Sequence, residues 1–250
     1  MKAKSPTRHS RRRFLHGALA SAATFLAAVS PLAARAASTP SDRTKIGVIG
    51  SGNIGGALGG IWVKAGHEVM FSSLDLEHDK KLASSLGPNA RAGTSREAAA
   101  FGDVILMAVP YRALPAVGKE LADLIKGRVV VDATNPIVAR DGDIASWARE
   151  KGAGLAAAEL LPGARIVRAF NAVGAARLPE IAQRKGERTG MPIAGDDANA
   201  IAAASRLVRD AGFEPVVVGP LIMGRHLIPG TPLAGERSPE QIRQIIPTLK

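Results

Sequence analysis

Cysteine is absent from all 250 residues, which excludes disulfides, thiolate metal sites, cysteine-held iron–sulfur clusters and a thiol nucleophile. Redox chemistry, if present, must rest on a bound organic cofactor. Aromatic residues are scarce at 4%, too few to interleave stacking rings with basic side chains along a nucleic-acid groove. Acidic residues are missing altogether from residues 1–36, which hold seven Lys and Arg and so carry +7 of the formal +11. The remainder is mildly basic at +4, and nucleic acid is not an expected partner.

Long apolar runs are also missing, with one exception. Gly17 to Ala34 is uncharged over eighteen residues, but it is Ala-rich and broken by Ser21, Thr24, Ser30 and Pro31. It falls short of the roughly 20 strongly apolar residues that span a bilayer. Ser10-Arg11-Arg12-Arg13-Phe14-Leu15 precedes it, and Ala34-Arg35-Ala36 after it offers the small residues read by a signal peptidase. This arrangement resembles the twin-arginine signal family, with His16 where Lys is commonest. The resemblance implies engagement of the twin-arginine translocase, export after folding, cleavage near Ala36 and a periplasmic location. The expected organisation is a signal over 1–36, a linker over 37–44 around Pro40-Ser41, and a remainder with no further segment apolar for long enough to cross a bilayer.

From Lys45 onward, short apolar runs alternate with Ala-rich stretches long enough for helices. Lys45 to Ile49 ends in glycine, and Ile54, Leu58 and Ile61 follow at i, i+4 and i+7 with Gly66 as stop. Further runs stand at Glu68–Phe71, Val104–Val109, Val129–Asp132, Ile166–Phe170, Met191–Ala194 and Pro215–Val218. Near-continuous apolar strands separated by helices predict a doubly wound α/β fold with a mainly parallel sheet covered on both faces. The polar stretch Gln183 to Gly190 marks a seam between a nucleotide-binding domain over 45–182 and a small C-terminal α/β part over 183–250. Asp196-Asp197 is expected to cap the helix holding Ile201, Ala204 and Val208.

The strongest chemical signal is Gly50-Ser51-Gly52-Asn53-Ile54-Gly55. Placed between a strand and a helix, this pattern is a dinucleotide fingerprint. Gly50 allows the tight turn, Gly52 lets backbone approach a pyrophosphate, and Gly55 permits close packing of helix on strand. The helix start presents free N–H groups and a positive dipole end to the phosphates. At the end of the second strand, Ser72-Ser73 offers two hydroxyl donors, which favours NADP over NAD, although Leu74 brings no cation and the carboxylate of Asp75 repels a 2′-phosphate. Ligands lie beyond the carboxyl ends of parallel strands. Val109-Pro110-Tyr111 and Asn135-Pro136 are therefore expected over the nicotinamide, with Phe170-Asn171 beside them. Of the three histidines beyond the leader, only His226, next to Arg225, stands where it would orient an anionic acceptor. No catalytic acid, base or metal site is expected, because hydride transfer between stacked rings depends on positioning.

The run Lys45 to Gly66 with His67-Glu68-Val69, the Ala108-Val109-Pro110 strand end, the Gly195-Asp196-Asp197 turn and Gly219-Pro220-Leu221 with Arg225 resemble the NADPH-dependent coenzyme F420 (deazaflavin) reductases. The wider group includes the related domain of membrane metalloreductases. The resemblance covers nearly all of the chain after the leader. It implies a Rossmann-type fold, NADP as cofactor, a deazaflavin as small-molecule redox acceptor, and a homodimer. In that family a Ser-Arg turn after the second strand binds the 2′-phosphate; here Leu74 stands where the Arg is expected. β-Hydroxyacid dehydrogenases and pyrroline-5-carboxylate reductases share the fingerprint, but the 79 residues after Asn171 leave no room for their long helical C-terminal domain. The residues leave open an exported nucleotide-binding protein without catalysis, or a flavin or ferric-chelate reductase.

Overall fold

The computed structural model describes residues 43–249. The leader expected over 1–36 and most of the linker over 37–44 lie outside the described residues. The apolar runs become eight strands: β1 (Lys45–Ile49), β2 (Glu68–Ser72), β3 (Ala90–Ala92), β4 (Val104–Met107), β5 (Val129–Asp132), β6 (Arg165–Arg168), β7 (Gly190–Gly195) and β8 (Glu214–Gly219). They form one sheet in the order β3-β2-β1-β4-β5-β6-β7-β8. The first six pair in parallel. β4 and β5 are buried at every position, as strands covered on both faces must be. Val48, Leu106, Val131 and Val167 face one side, packed with Leu58 and Trp62 of the first helix, α1 (Asn53–Ala65). Ile49, Ile105, Met107 and Val130 face the other. β3 was not foreseen: Ala-Arg-Ala at a sheet edge is only partly buried and has no β-branched residue to signal it.

The C-terminal part adds its two strands to this same sheet, but reversed. β7 runs antiparallel to β6, and β8 runs parallel to β7. β7 and β8 therefore point opposite to β1 to β6, with Ala194 level with Arg168 at the end of β6 and Gly219 level with Ala194. Asp197 caps the intervening helix Ala198–Asp210 by accepting from Ala200 N–H. Among the described residues, no helix is long and apolar enough to cross a membrane.

Aromatic scarcity makes the few rings count. Trp62, fully buried, donates its indole N–H to Leu207 O at 2.8 Å and meets Phe170 edge-to-face at 5.8 Å; Phe170 meets Phe213 in the same way at 6.0 Å. Phe170 sits at φ 66°, the one positive value outside glycine among the described residues. Its burial among two rings offsets a strain of about 1–3 kcal/mol.

His67 joins three elements. Thr44 N–H donates to its Nδ1 at 3.1 Å, so Nε2 carries the proton toward Asp210 at 3.1 Å. Burial holds its pKa below the ordinary 6.5, against the partial opposition of Asp210. A depressed base contributes stability above pH 6.5 and loses it as pH falls toward the folded value. Melting temperature is thus expected to drop between about pH 7 and about pH 5, and less steeply in a His67→Gln variant. Parallel pH profiles for the two proteins would remove His67 as the cause.

Candidate functional site

The crossover after β1 builds the site. The chain order runs outward from β1 to β3 and then returns to β4 on the other side, so β1 and β4 flank the switch point where open sheets bind ligands. Gly50 turns the chain there at φ 96°, and a Cβ on it would lie 2.8 Å from the Ala108 carbonyl. The N–H groups of Gly50 and Ser51 both donate to Ser72 O at 2.9 Å, tying the turn to the end of β2. A Cβ on Gly55 would lie 2.0 Å from Gly50 O, so only glycine lets α1 press this closely on the turn.

Gly52 differs. Its φ is −64°, open to any residue, and a Cβ on it would meet nothing within 4 Å. Protein packing therefore gives no reason for glycine at this position; close approach by a ligand does. No side chain caps α1 and no acid stands in its first turn. The unpaired N–H groups of a helix start and its positive dipole end are left to an anion.

A groove opens over this turn in two lobes that share Gly52, Ala108, Val109 and Pro110. The larger, about 450 Å³, runs past Gly50 to Ser73, Leu74 and Asp75. The smaller, about 320 Å³, runs past Asn53 and Ile54 to Thr134, Asn135, Ile137 and Arg140. A separate polar groove near Arg184, Arg188 and Glu236 shares no residue with either lobe.

Buried charge fixes the floor of the smaller lobe. Asp132 and Arg168 end the adjacent strands β5 and β6 in register, both side chains are fully buried, and Oδ2 to Nη1 is 2.5 Å. Asp132 Oδ1 accepts from Thr134 N–H at 2.8 Å and Thr134 Oγ–H at 2.6 Å, while Arg168 Nη2 donates to Thr134 O at 2.9 Å. Asn171 Nδ2 donates to Thr134 O, and Asn135 Nδ2 to Asn171 O, each at 3.0 Å. This orientation leaves Asn135 Oδ1 buried with no partner among the described residues, an acceptor suited to an amide donor such as a nicotinamide carboxamide. At the mouth, Arg140 grips Asp141 and donates to Asn135 O at 2.9 Å. Burial pushes the Asp141 pKa up, but Arg140 and the Ile137 and Arg112 amides outweigh it and hold it below the ordinary carboxylate range.

The structure thus brings Gly50, Gly52, Asn53, Ile54, Ser73, Val109, Pro110 and Asn135 together on one groove, with Gly55 packed beneath it. Several expectations need correction. Ser51 and Ser72 are buried, their hydroxyls bonded to Asp79 and to Val48 O. Tyr111 lies wholly inside the core against Ala153 O, its pKa pushed upward chiefly by burial. It turns inward because the short helical turn Tyr111–Ala113 starts directly after Pro110. Pro136 is buried below the loop. Phe170 and Asn171 serve the interior, as ring packing and loop anchor. Arg225 packs on Gly152, and neither it nor His226 lines a lobe; their turn lies against the floor residue Arg168, where a Cβ on Gly224 would stand 2.5 Å from Arg168 Cδ. Asp79, Arg112, Asp132, Arg140 and Arg168 were not anticipated. The signal for one pair was available: opposite charges close two neighbouring apolar runs, VVVD and RIVR.

Among the described residues no group of three His, Asp or Glu is placed to hold a metal. Residues 45–136 match the family model described as NADP oxidoreductase, coenzyme F420-dependent. The chain is 30% identical over 191 residues to metalloreductase STEAP3 of Rattus norvegicus, covering 76% of this chain and 37% of that protein. It is 32% identical over 154 residues to the F420-dependent NADP reductase of Methanothermobacter thermautotrophicus, covering 56% and 66%. Both relatives therefore extend well beyond the matched part. A crystal structure of a hypothetical protein from Sinorhizobium meliloti superposes with a TM-score of 0.68 at 27% identity, covering 78% of this chain and 95% of that one.

Proposed function

We propose that the protein is an NAD(P)-dependent oxidoreductase that moves a hydride between a nicotinamide dinucleotide lying along the groove and a flat organic acceptor of the deazaflavin kind. Gly52 carries this reading: a glycine that protein packing does not demand, at an uncapped helix start, midway between two lobes. The family description and both relatives' names, which all specify reductases, support the oxidoreductase class.

When bound, the dinucleotide supplies the hydride. The protein's own residues supply position. The backbone at Gly52 and the α1 N-terminus hold the pyrophosphate. Asn135 Oδ1, fixed by the Asp132–Arg168 floor, accepts from the carboxamide. Ile137, 41% exposed at the mouth, gives apolar surface for a planar ring, and Arg140 offers positive charge to an anionic one. No acid or base is needed for a hydride passing directly between rings.

Turnover is tested by following nicotinamide oxidation with a deazaflavin, a flavin and a ferric chelate. The deazaflavin is expected to be reduced fastest. Arg140→Ala is expected to raise its apparent KM about tenfold while nucleotide Kd stays within about twofold. Tight nucleotide binding without turnover on any acceptor would reduce the protein to a carrier or sensor. We propose in addition that residues 1–36 direct export by the twin-arginine route; retention of the protein in the cytoplasm after Arg11 and Arg12 are both replaced by lysine is the expected result.

A further inference from the structure

The end of the larger lobe beyond β2 is where a dinucleotide presents its adenosine ribose, Ser73 following Gly50 by 23 residues. A 2′-phosphate there requires hydrogen-bond donors and positive charge. Three serine hydroxyls stand at this end, each with one proton to give. Ser72 gives its proton to Val48 O at 2.8 Å. Ser51 gives its proton to Asp79. Ser73 Oγ lies 3.0 and 2.9 Å from the two Asp79 oxygens, donates to that carboxylate, and accepts from Asp75 N–H at 3.1 Å. None has a proton left for a phosphate.

The local charge has the wrong sign as well. Asp79 is fully buried, and its side-chain partners are the two serine hydroxyls. Asp75 is exposed and caps the helix α2 (Leu76–Leu86) through His78 N–H at 3.0 Å. Between them in the turn, Leu74 is fully exposed at 109% and contributes no donor. The cation of this lobe, Arg112, reaches instead to Arg140 O at 2.7 Å.

We infer that this end of the groove is built for the free ribose 2′-hydroxyl of NAD(H) and excludes NADP(H), which departs from the NADP in the description of the matching family. Ser73 is the residue that reads the ribose. With its proton held by Asp79 and one lone pair used by Asp75 N–H, it keeps a lone pair for a ribose O–H, which can donate; a phosphate cannot, and meets two carboxylates. Asp79 is a positioning residue acting through Ser73. Because Asp79 also binds Ser51, ribose selection and the pyrophosphate turn form one rigid unit.

This inference rests on the dinucleotide reading, and the test separates the two. The full chain is titrated with NADH and with NADPH, following nicotinamide fluorescence. NADH is expected to bind at least about tenfold tighter. Leu74→Arg, at a position with no packing to lose, is expected to tighten NADPH about tenfold and leave NADH within about twofold. Asp79→Asn is expected to narrow the ratio of the two affinities, a change that mere loosening of the turn would not produce. NADPH binding as tight as NADH, or a Leu74→Arg protein with unchanged NADPH affinity, overturns NAD selection alone. Binding of neither nucleotide overturns the dinucleotide reading and this one with it.

Discussion

Gly52→Asp is expected to abolish dinucleotide binding in a protein that stays as stable as its parent or becomes slightly more so. The backbone at this position suits any residue, and the new Cβ meets no protein atom. Aspartate is among the best residues at a helix N-cap, and near the positive end of α1 it gains a few tenths to about 1 kcal/mol over glycine. The same carboxylate then occupies the space and uses the N–H groups that a pyrophosphate needs. Kd is expected to rise at least about a hundredfold, or about 2.7 kcal/mol. Thermal melts and a nucleotide titration on one preparation measure both effects. Intact binding in a folded Gly52→Asp protein would remove the basis for the groove. Gly55→Ala is the contrast, because its Cβ at 2.0 Å from Gly50 O costs fold and binding together.

Arg168→Met is expected to lower stability by about 3–5 kcal/mol, a large part of the roughly 5–15 kcal/mol that holds a typical domain folded. The apolar stem is retained, but Asp132 is left charged and fully buried, and Thr134 O loses one of its donors. The double variant Asp132→Asn, Arg168→Met removes the stranded charge while keeping an acceptor for Thr134 N–H, and is expected to recover about half of the loss. Urea unfolding gives both numbers. A cost below about 1 kcal/mol for the single variant would show that the ion pair does not hold the groove floor.

The fold was legible because strand periodicity and glycine placement are local properties. β1 and β5 carry the bounds that their apolar runs predict, and the fingerprint lies between strand and helix as expected. The direction of β7 was not legible. MPIA reads as an apolar strand in either sense, and only its pairing with β6 settles which end faces the groove. The turn holding Arg225 and His226 packs on Arg168, so it supports the groove floor without lining a lobe. The serines failed for a different reason. A hydroxyl is a donor only while its proton is free, and Asp79, seven residues beyond Ser72, has claimed two of those protons. Periodicity places Asp79 on α2 but does not reveal that its carboxylate turns inward to Ser51 and Ser73. Tyr111 departs from the position a strand end implies because the helical turn after Pro110 points that ring into the core.

The reversal of the last two strands also divides the labour along the chain. Every residue bordering the two lobes lies between Ile49 and Ala175, while the turn that leaves β8 lies against Arg168 of the floor, whose Cδ is 2.5 Å from where a Cβ on Gly224 would stand. Substitutions after Ala175 therefore reach the cleft only through what braces Arg168 and the sheet's flank, whereas the surface a ligand meets is decided upstream.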